Sequence, residues 1–369
     1  MANKKSNKSN SGNSGNTTNT NRSTKKKLKA TIPGQGTPFD TATAVLWNKE
    51  EYFADIFNKI VFNKLVVDPS KLKEASNVEA AILRVRGINH ITLKNVRDIS
   101  KILLSDDNYI MMILGIENQN QINYQMPFRV MEVDLIQYAR QIEEIVRKNR
   151  EEHRAQEHKG EYIGGFWKTD KLKPVITLVI YYGEEEWKTP LSLRDMFYEN
   201  EGKYIASDYK MHLLDVRHMN IDELDNFSPD LKAFIGFLRL MGCDNLTAFM
   251  EENRQKFYDL PETTIDALIE ITKSDKLKEI KKNFRTESGG VNMLDGIKVY
   301  GQQQRQAGMV EGITVGIDQA NERVARDMLL EKGQPFTIPM IAKISKLSED
   351  VVLKLANSLG IPLKQGVRG

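Results

Sequence analysis

Cysteine is almost missing, with Cys243 the only one in 369 residues. An intramolecular disulfide is therefore excluded, as is a zinc site built on cysteine pairs. A lone thiol suits a reducing, cytoplasmic setting. Histidine is scarce as well, and the five present show no metal-ligand spacing. No apolar run approaches the ~20 residues that span a bilayer, so no membrane partner is expected. The first residues lack the apolar centre of a secretory signal. Acidic side chains are absent from residues 1–39, which carry eight basic ones, while the whole chain has a formal charge of +3. The remainder therefore carries −5.

That first stretch, "MANKKSNKSNSGNSGNTTNTNRSTKKKLK", is rich in Asn, Ser and Lys and almost free of large apolar groups. It cannot bury enough surface to offset the entropy of ordering, so residues 1–39 are expected to form a disordered basic tail. Such an arm attracts polyanions by releasing their counterions. A solubilising leader without a specific partner fits the same composition.

Length and ordinary apolar content fit a chain of two or three domains. In "VLWNKEEYFADIFNKIVF", Leu46, Phe53, Phe57, Ile60 and Val61 follow helical spacing. Residues 78–93 are ambiguous between helix and strand. From Ile91 to Leu104 apolar and polar residues roughly alternate. The Ser105-Asp106-Asp107-Asn108 cluster is turn chemistry, and Tyr109 to Ile116 is an almost unbroken apolar run. Two strands joined by a short turn are expected, the second central and covered on both faces. Beyond Pro127, Met131, Leu135, Tyr138, Ile142 and Ile145 mark an amphipathic helix. "KPVITLVIYYG" reads as a further buried strand. This order implies an α/β sheet protected by helices.

Residues 192–283 read as helical, with 201–283 as a helical extension of the core. Residues 284–316 are polar and glycine-punctuated and read as a linker with frayed helix. Residues 317–369 carry two short helical patterns, "IPMIAKISKL" and "SEDVVLKLANSLG". These resemble a helix-turn-helix fragment, with Lys346 near the place where glycine often stands. Packing or self-association, giving a homo-oligomer through the C-terminal helices, is the other use of this region.

The apolar run ends in "GIENQ". Alternate residues of a strand share a face, so Glu117 and Gln119 project together and Asn118 opposes them. Pairing around the Ser105–Asn108 turn can bring Asp98 beside Glu117. Two carboxylates converging at a strand end, with the backbone carbonyl of Asn118, suit Mg²⁺. An acid at the end of an apolar strand can equally mark only the point where the strand meets solvent. Lys94, Arg97, Lys101 and Arg129 lie near this point in sequence and offer charge to DNA phosphates, as residues of any solvated face would. Asp55 could add an outer carboxylate to the metal or be an ordinary surface acid. Trp167, Trp187, Tyr181 and Tyr182 are expected in the core.

The order Asp, turn, apolar strand, Glu-x-Gln, helix resembles the PD-(D/E)XK nuclease core. More specifically, "LGIENQNQINYQMPFRVMEVDLIQYARQ" and "KLKPVITLVIYYGEEEWKTPLSLRDMF" resemble the Rpn family of recombination-promoting nucleases, or YhgA-like transposases. "FADIFNKIVF", "VRDISKIL", "FRTESGGVNML" and the stretch from Glu322 to Leu355 are similar to the same family, so the likeness runs from about Glu51 to about Leu355. The resemblance implies a restriction-endonuclease-like core over residues 43–200, with a mixed sheet flanked by helices. It implies a metal-dependent DNA endonuclease using Mg²⁺ or Mn²⁺, with DNA as partner and a role in recombination or mobile elements. Asp98 and Glu117 match the metal-binding carboxylates. Gln119 stands where the superfamily has lysine, so a neutral amide replaces a cation. The Pro of the "PD" pair is replaced by Arg97. A DNA-binding accessory without cleavage, or a protein-interaction module on the same fold, are the rival readings.

Overall fold

A computed structural model describes residues 37–75, 78–83, 91–96, 98–152, 159–331 and 336–361, with backbone only for 78–83 and 91–96. Two units are distinguished, Met1–Thr37 and Pro38–Gly369. The basic tail thus lies almost wholly outside the described residues, as does Arg97. The second unit opens with helices α1 (Pro38–Trp47) and α2 (Glu50–Ile56). Strands β1 (Leu72–Glu74), β2 (Val78–Leu83), β3 (Ile91–Val96), β4 (Ile99–Leu104) and β5 (Ile110–Gln119) follow. Then come α3 (Met126–Glu151), α4 (Lys159–Gly164), β6 (Val175–Tyr181), α5 (Gly202–Ile205) and β7 (His212–Asp215). Helices α6 (Pro229–Leu240), α7 (Leu246–Glu252), α8 (Arg254–Tyr258), α9 (Glu262–Thr272) and α10 (Asp275–Asn283) complete the body. The chain continues as α11 (Met293–Leu330), α12 (Ile338–Ser345) and α13 (Glu349–Ser358).

The main sheet is mixed, in the order β1-β4-β5-β6-β7, and β2 and β3 form a separate two-stranded sheet. β4 and β5 pair antiparallel, while β5, β6 and β7 run parallel. The turn between β4 and β5 forms where expected. Asn108 adopts a left-handed φ of 58°, which asparagine tolerates, and the Oγ of Ser105 accepts the Tyr109 N–H at 3.1 Å. β5 is the middle strand, and it is buried from Ile113 to Asn118. Its first residues are exposed because β6 begins only opposite Ile113.

One face of the sheet is covered by the helical body. Leu114 and Ile116 of β5, with Leu178, Ile180 and Tyr182, pack with Phe39, Trp47 and Phe53 and with α6 and α9. On the other face α3 is the crossover between parallel β5 and β6. There Met126 and Val130 meet Val179, Tyr181, Trp187 and Met211. The buried stripe of α3 differs from the expected one: Leu135 and Ile142 are exposed, whereas Asp134, Gln137 and Gln141 are buried. Polar anchoring explains the difference. Asp134 accepts from the Thr177 hydroxyl at 2.6 Å, and Gln141 exchanges hydrogen bonds with the Lys173 backbone at 2.7 and 3.1 Å. Periodicity of apolar residues cannot see a face held by such bonds.

Three further expectations are corrected. Residues 91–104 form two strands, and the break between β3 and β4 falls beside Asp98. The segment read as wholly helical contains β7, four residues that find their pairing on the edge of β6. The segment read as a linker with frayed helix is instead a continuous helix from Met293 onward, within the 38-residue α11. Glycines lower helix propensity without forbidding it. The end of α11 packs with α12 and α13 in a small core built on Ala325, Leu329, Ile341, Val352 and Leu355. Lys346 takes a left-handed φ of 58° in the α12–α13 turn, the conformation that glycine usually supplies. Among the described residues no helix is long and apolar enough to cross a membrane.

Candidate active site

β4 and β5 carry the first two candidates to one end of the sheet. Ile99 pairs with Ile116, so Asp98, one residue before β4, lies level with Glu117. The carboxylate Oδ2 of Asp98 accepts the backbone N–H of Asn118 at 2.6 Å. Burial raises the Asp98 pKa above the usual carboxylate range. The Asn118 N–H opposes that rise, Asp40 of α1 adds to it, and Arg129 of α3 counters it.

Glu117 has no exposed surface. A buried carboxylate requires a partner. Arg129 supplies one, donating from Nη2 to Oε2 at 3.0 Å. Arg129 stands in the first turn of α3, whose start is fixed by Pro127, and only a short loop separates that turn from the end of β5. The helix thereby folds back over the strand end. Arg129 was singled out from the sequence for phosphate contact, but its pairing with Glu117 was not foreseen.

On the opposite face, Asn118 Oδ1 accepts from the Tyr182 hydroxyl at 2.8 Å, and that hydroxyl accepts from Trp47 Nε1 at 2.6 Å. Burial keeps the Tyr182 hydroxyl protonated by raising its pKa. This chain of bonds fixes the Asn118 amide. Trp47 and Tyr182 lie 135 residues apart, so no local sequence signal joins them. Gln119 ends β5, half-buried, and its carbonyl accepts the Tyr182 N–H at 2.9 Å. Strand alternation places its side chain on the face of Glu117.

Other candidates are drawn elsewhere. Lys101 is completely buried and donates to the Asn48 carbonyl at 2.9 Å and to Glu50 at 3.1 Å. It is not available to a phosphate, because its place on β4 turns it into the face covered by α1 and α2. Asp55 accepts the Ser228 N–H at 2.8 Å, at the start of α6. Its role is to hold that helix end, where a carboxylate also meets the favourable end of the helix dipole. Lys94 lies on β3, and Arg97 lies outside the described residues. Trp167, Trp187, Tyr181 and Tyr182 are buried as expected.

Residues 100–267 match the model of a family described as "Putative transposase, YhgA-like". This stretch of the chain belongs to that family. The YhgA-like segment begins two residues after Asp98 and includes Glu117, Asn118, Gln119, Arg129 and Tyr182. No curated protein and no solved structure matches the chain.

The YhgA-like sheet end can be tested for its fit to a cation. With both acids ionised, Asp98, Glu117 and Arg129 sum to −1, and Asp40 adds further negative charge around Asp98. Among the described residues no group of three or more His, Cys, Asp or Glu is placed to hold a metal. Two carboxylates suffice for Mg²⁺, which keeps several of its waters. The donor set therefore fits a hard divalent cation bound through oxygen.

Proposed function

We propose that the chain is a metal-dependent DNA endonuclease of PD-(D/E)XK type that hydrolyses phosphodiester bonds. The reading rests on one observation above all. Asp98 accepts the backbone N–H of the residue next to Glu117 at 2.6 Å, and the β4–β5 register puts the two acids level at the end of the central strand. Membership of the YhgA-like family supports a transposase- or nuclease-related role.

Asp98, Glu117 and the Asn118 carbonyl would hold Mg²⁺ or Mn²⁺. Such a cation, when bound, makes its water more acidic and offsets charge on a phosphoryl oxygen. The chain's own groups do the positioning. The Asn118 N–H fixes the Asp98 carboxylate, and the Tyr182–Trp47 chain fixes Asn118. Arg129 holds the buried Glu117 carboxylate in place by donating to its Oε2. Gln119, on the face of Glu117, orients water or a phosphate oxygen by donating and accepting hydrogen bonds.

A second reading, a DNA-binding accessory without cleavage, is favoured by the guanidinium of Arg129 already lying against Glu117. Supercoiled plasmid treated with purified protein and Mg²⁺, Mn²⁺, Ca²⁺ or EDTA separates the two. Nicking that EDTA abolishes supports the nuclease. Retention of DNA without nicking supports the accessory.

A further inference from the structure

Between its anchored ends, α11 packs against none of the described residues. Its start is held in the main core by Met293 and Leu294, and its end in the C-terminal core by Ala325 and Leu329. Every residue from Gln302 to Ala320 is exposed. This stretch should be a poor helix alone. Gly301, Gly308, Gly312 and Gly316 each cost about 1 kcal/mol relative to alanine. A Cβ added at any of them would meet nothing within 4 Å, so close packing inside the chain does not explain them.

The apolar residues obey a different rule from that of a surface helix. Val310, Ile313, Ile317, Ala320 and Val324 follow one another in steps of three, four, three and four. That is a 3.5-residue repeat, the seam of a coiled coil. Val310, Ile313 and Ile317 are 60%, 52% and 54% exposed, so the seam faces solvent. Extended toward the N-terminus it runs through Gln306 and Gln303 to Val299.

We propose that two copies of this chain pair through Val299–Val324 of α11 as a parallel, two-stranded coiled coil. The charges point to a second copy. Arg305, Glu311, Asp318 and Glu322 all fall on the outer positions of the repeat. Arg323 is the one charged residue of this stretch at a position flanking the seam, and in a parallel pair it faces Met328 rather than its own copy. Gln303 meets Gln303 of the second chain in that register, and an amide both donates and accepts, so the pair is self-complementary. Ala320 in the seam and Gly316 beside it bring the axes close, which two helices fill and three would leave hollow.

The dimension is sufficient. Twenty-six residues make a seam about 39 Å long. A contact strip of that length buries on the order of 1,000 Å² between two copies, near the threshold of a specific interface. The proposal is independent of the nuclease reading, because no residue of the sheet end takes part.

The test uses the full chain in sedimentation equilibrium at concentrations up to about 100 μM. Wild type should be a dimer. Ile313→Glu with Ile317→Glu should be a monomer with an intact body. Val315→Glu should remain a dimer, since Val315 is 49% exposed but lies on the outer face. A monomeric wild type, or equal disruption by Val315→Glu, overturns the proposal. A second measurement fixes the direction. With Cys243→Ser in the background, Ile317→Cys should form a disulfide-linked dimer on mild oxidation. A dimer that does not cross-link there overturns the parallel register.

Discussion

Arg129 of α3 donates to Glu117 of β5 at 3.0 Å, and it is the solvent-reaching member of a pair whose acid is wholly buried. Glu117 belongs to the central strand and cannot turn to water. The pair is therefore asymmetric: loss of the arginine strands a buried charge, whereas loss of the acid frees only a half-exposed one.

Arg129→Met should accordingly destabilise the fold by about 1–3 kcal/mol, less than the ~3–5 kcal/mol for breaking a fully buried pair, because Arg129 is partly solvated. Adding Glu117→Gln should recover much of that loss. Urea unfolding of the two single variants and the double variant checks this, and a double variant whose losses simply add would contradict the account.

Lys101→Met should also weaken the fold, by about 1–3 kcal/mol, because the part-buried Asn48 carbonyl loses its donor. DNA affinity and its salt dependence should not change, since Lys101 faces Glu50 and Phe53 rather than solvent. A shallower slope of log affinity against log salt would restore Lys101 to the phosphate-contacting set.

The raised pKa of Asp98 fixes the sign of a pH effect. The folded chain holds this proton more tightly than the unfolded chain does, so this carboxyl's contribution to stability is fully present below the usual carboxylate pKa of ~3.9 and is lost as pH rises through the folded pKa. Asp98→Asn keeps an acceptor for the Asn118 N–H and removes the titration. In EDTA, its stability relative to wild type should therefore grow between acid and neutral pH. A difference independent of pH would show that burial does not perturb this carboxyl.

Gln119→Leu tests the amide that replaces the superfamily lysine. Leucine can neither donate to a phosphate nor hold a water, so single-turnover cleavage should slow at least about tenfold, or ~1.4 kcal/mol in the barrier. Equal rates would make Gln119 only the end of a strand.

Much of this sheet end was legible from local chemistry. The Ser105–Asn108 turn, the apolar run of β5 and the Glu-x-Gln alternation are short-range signals, and together they placed Asp98 level with Glu117. What escaped depends on contacts distant in sequence. The inner stripe of α3 is set by Asp134 and Gln141 meeting Thr177 and Lys173, which an apolar period does not register. Lys101 read as a surface cation, since nothing nearby announces that Asn48 and Glu50 would receive it. The helix at 293–330 was read only as a frayed linker because of its glycines, which mark loops in most sequences and here interrupt nothing.

The most direct measurement compares Glu117→Gln with wild type on supercoiled plasmid in Mg²⁺, after circular dichroism has shown both to be folded. The substitution keeps the shape of the side chain and an acceptor for Arg129, and it removes the charge that a cation requires. The account predicts that wild type nicks the plasmid in Mg²⁺ and not in EDTA, and that Glu117→Gln nicks it in neither. Undiminished Mg²⁺-dependent nicking by a folded Glu117→Gln protein would contradict it.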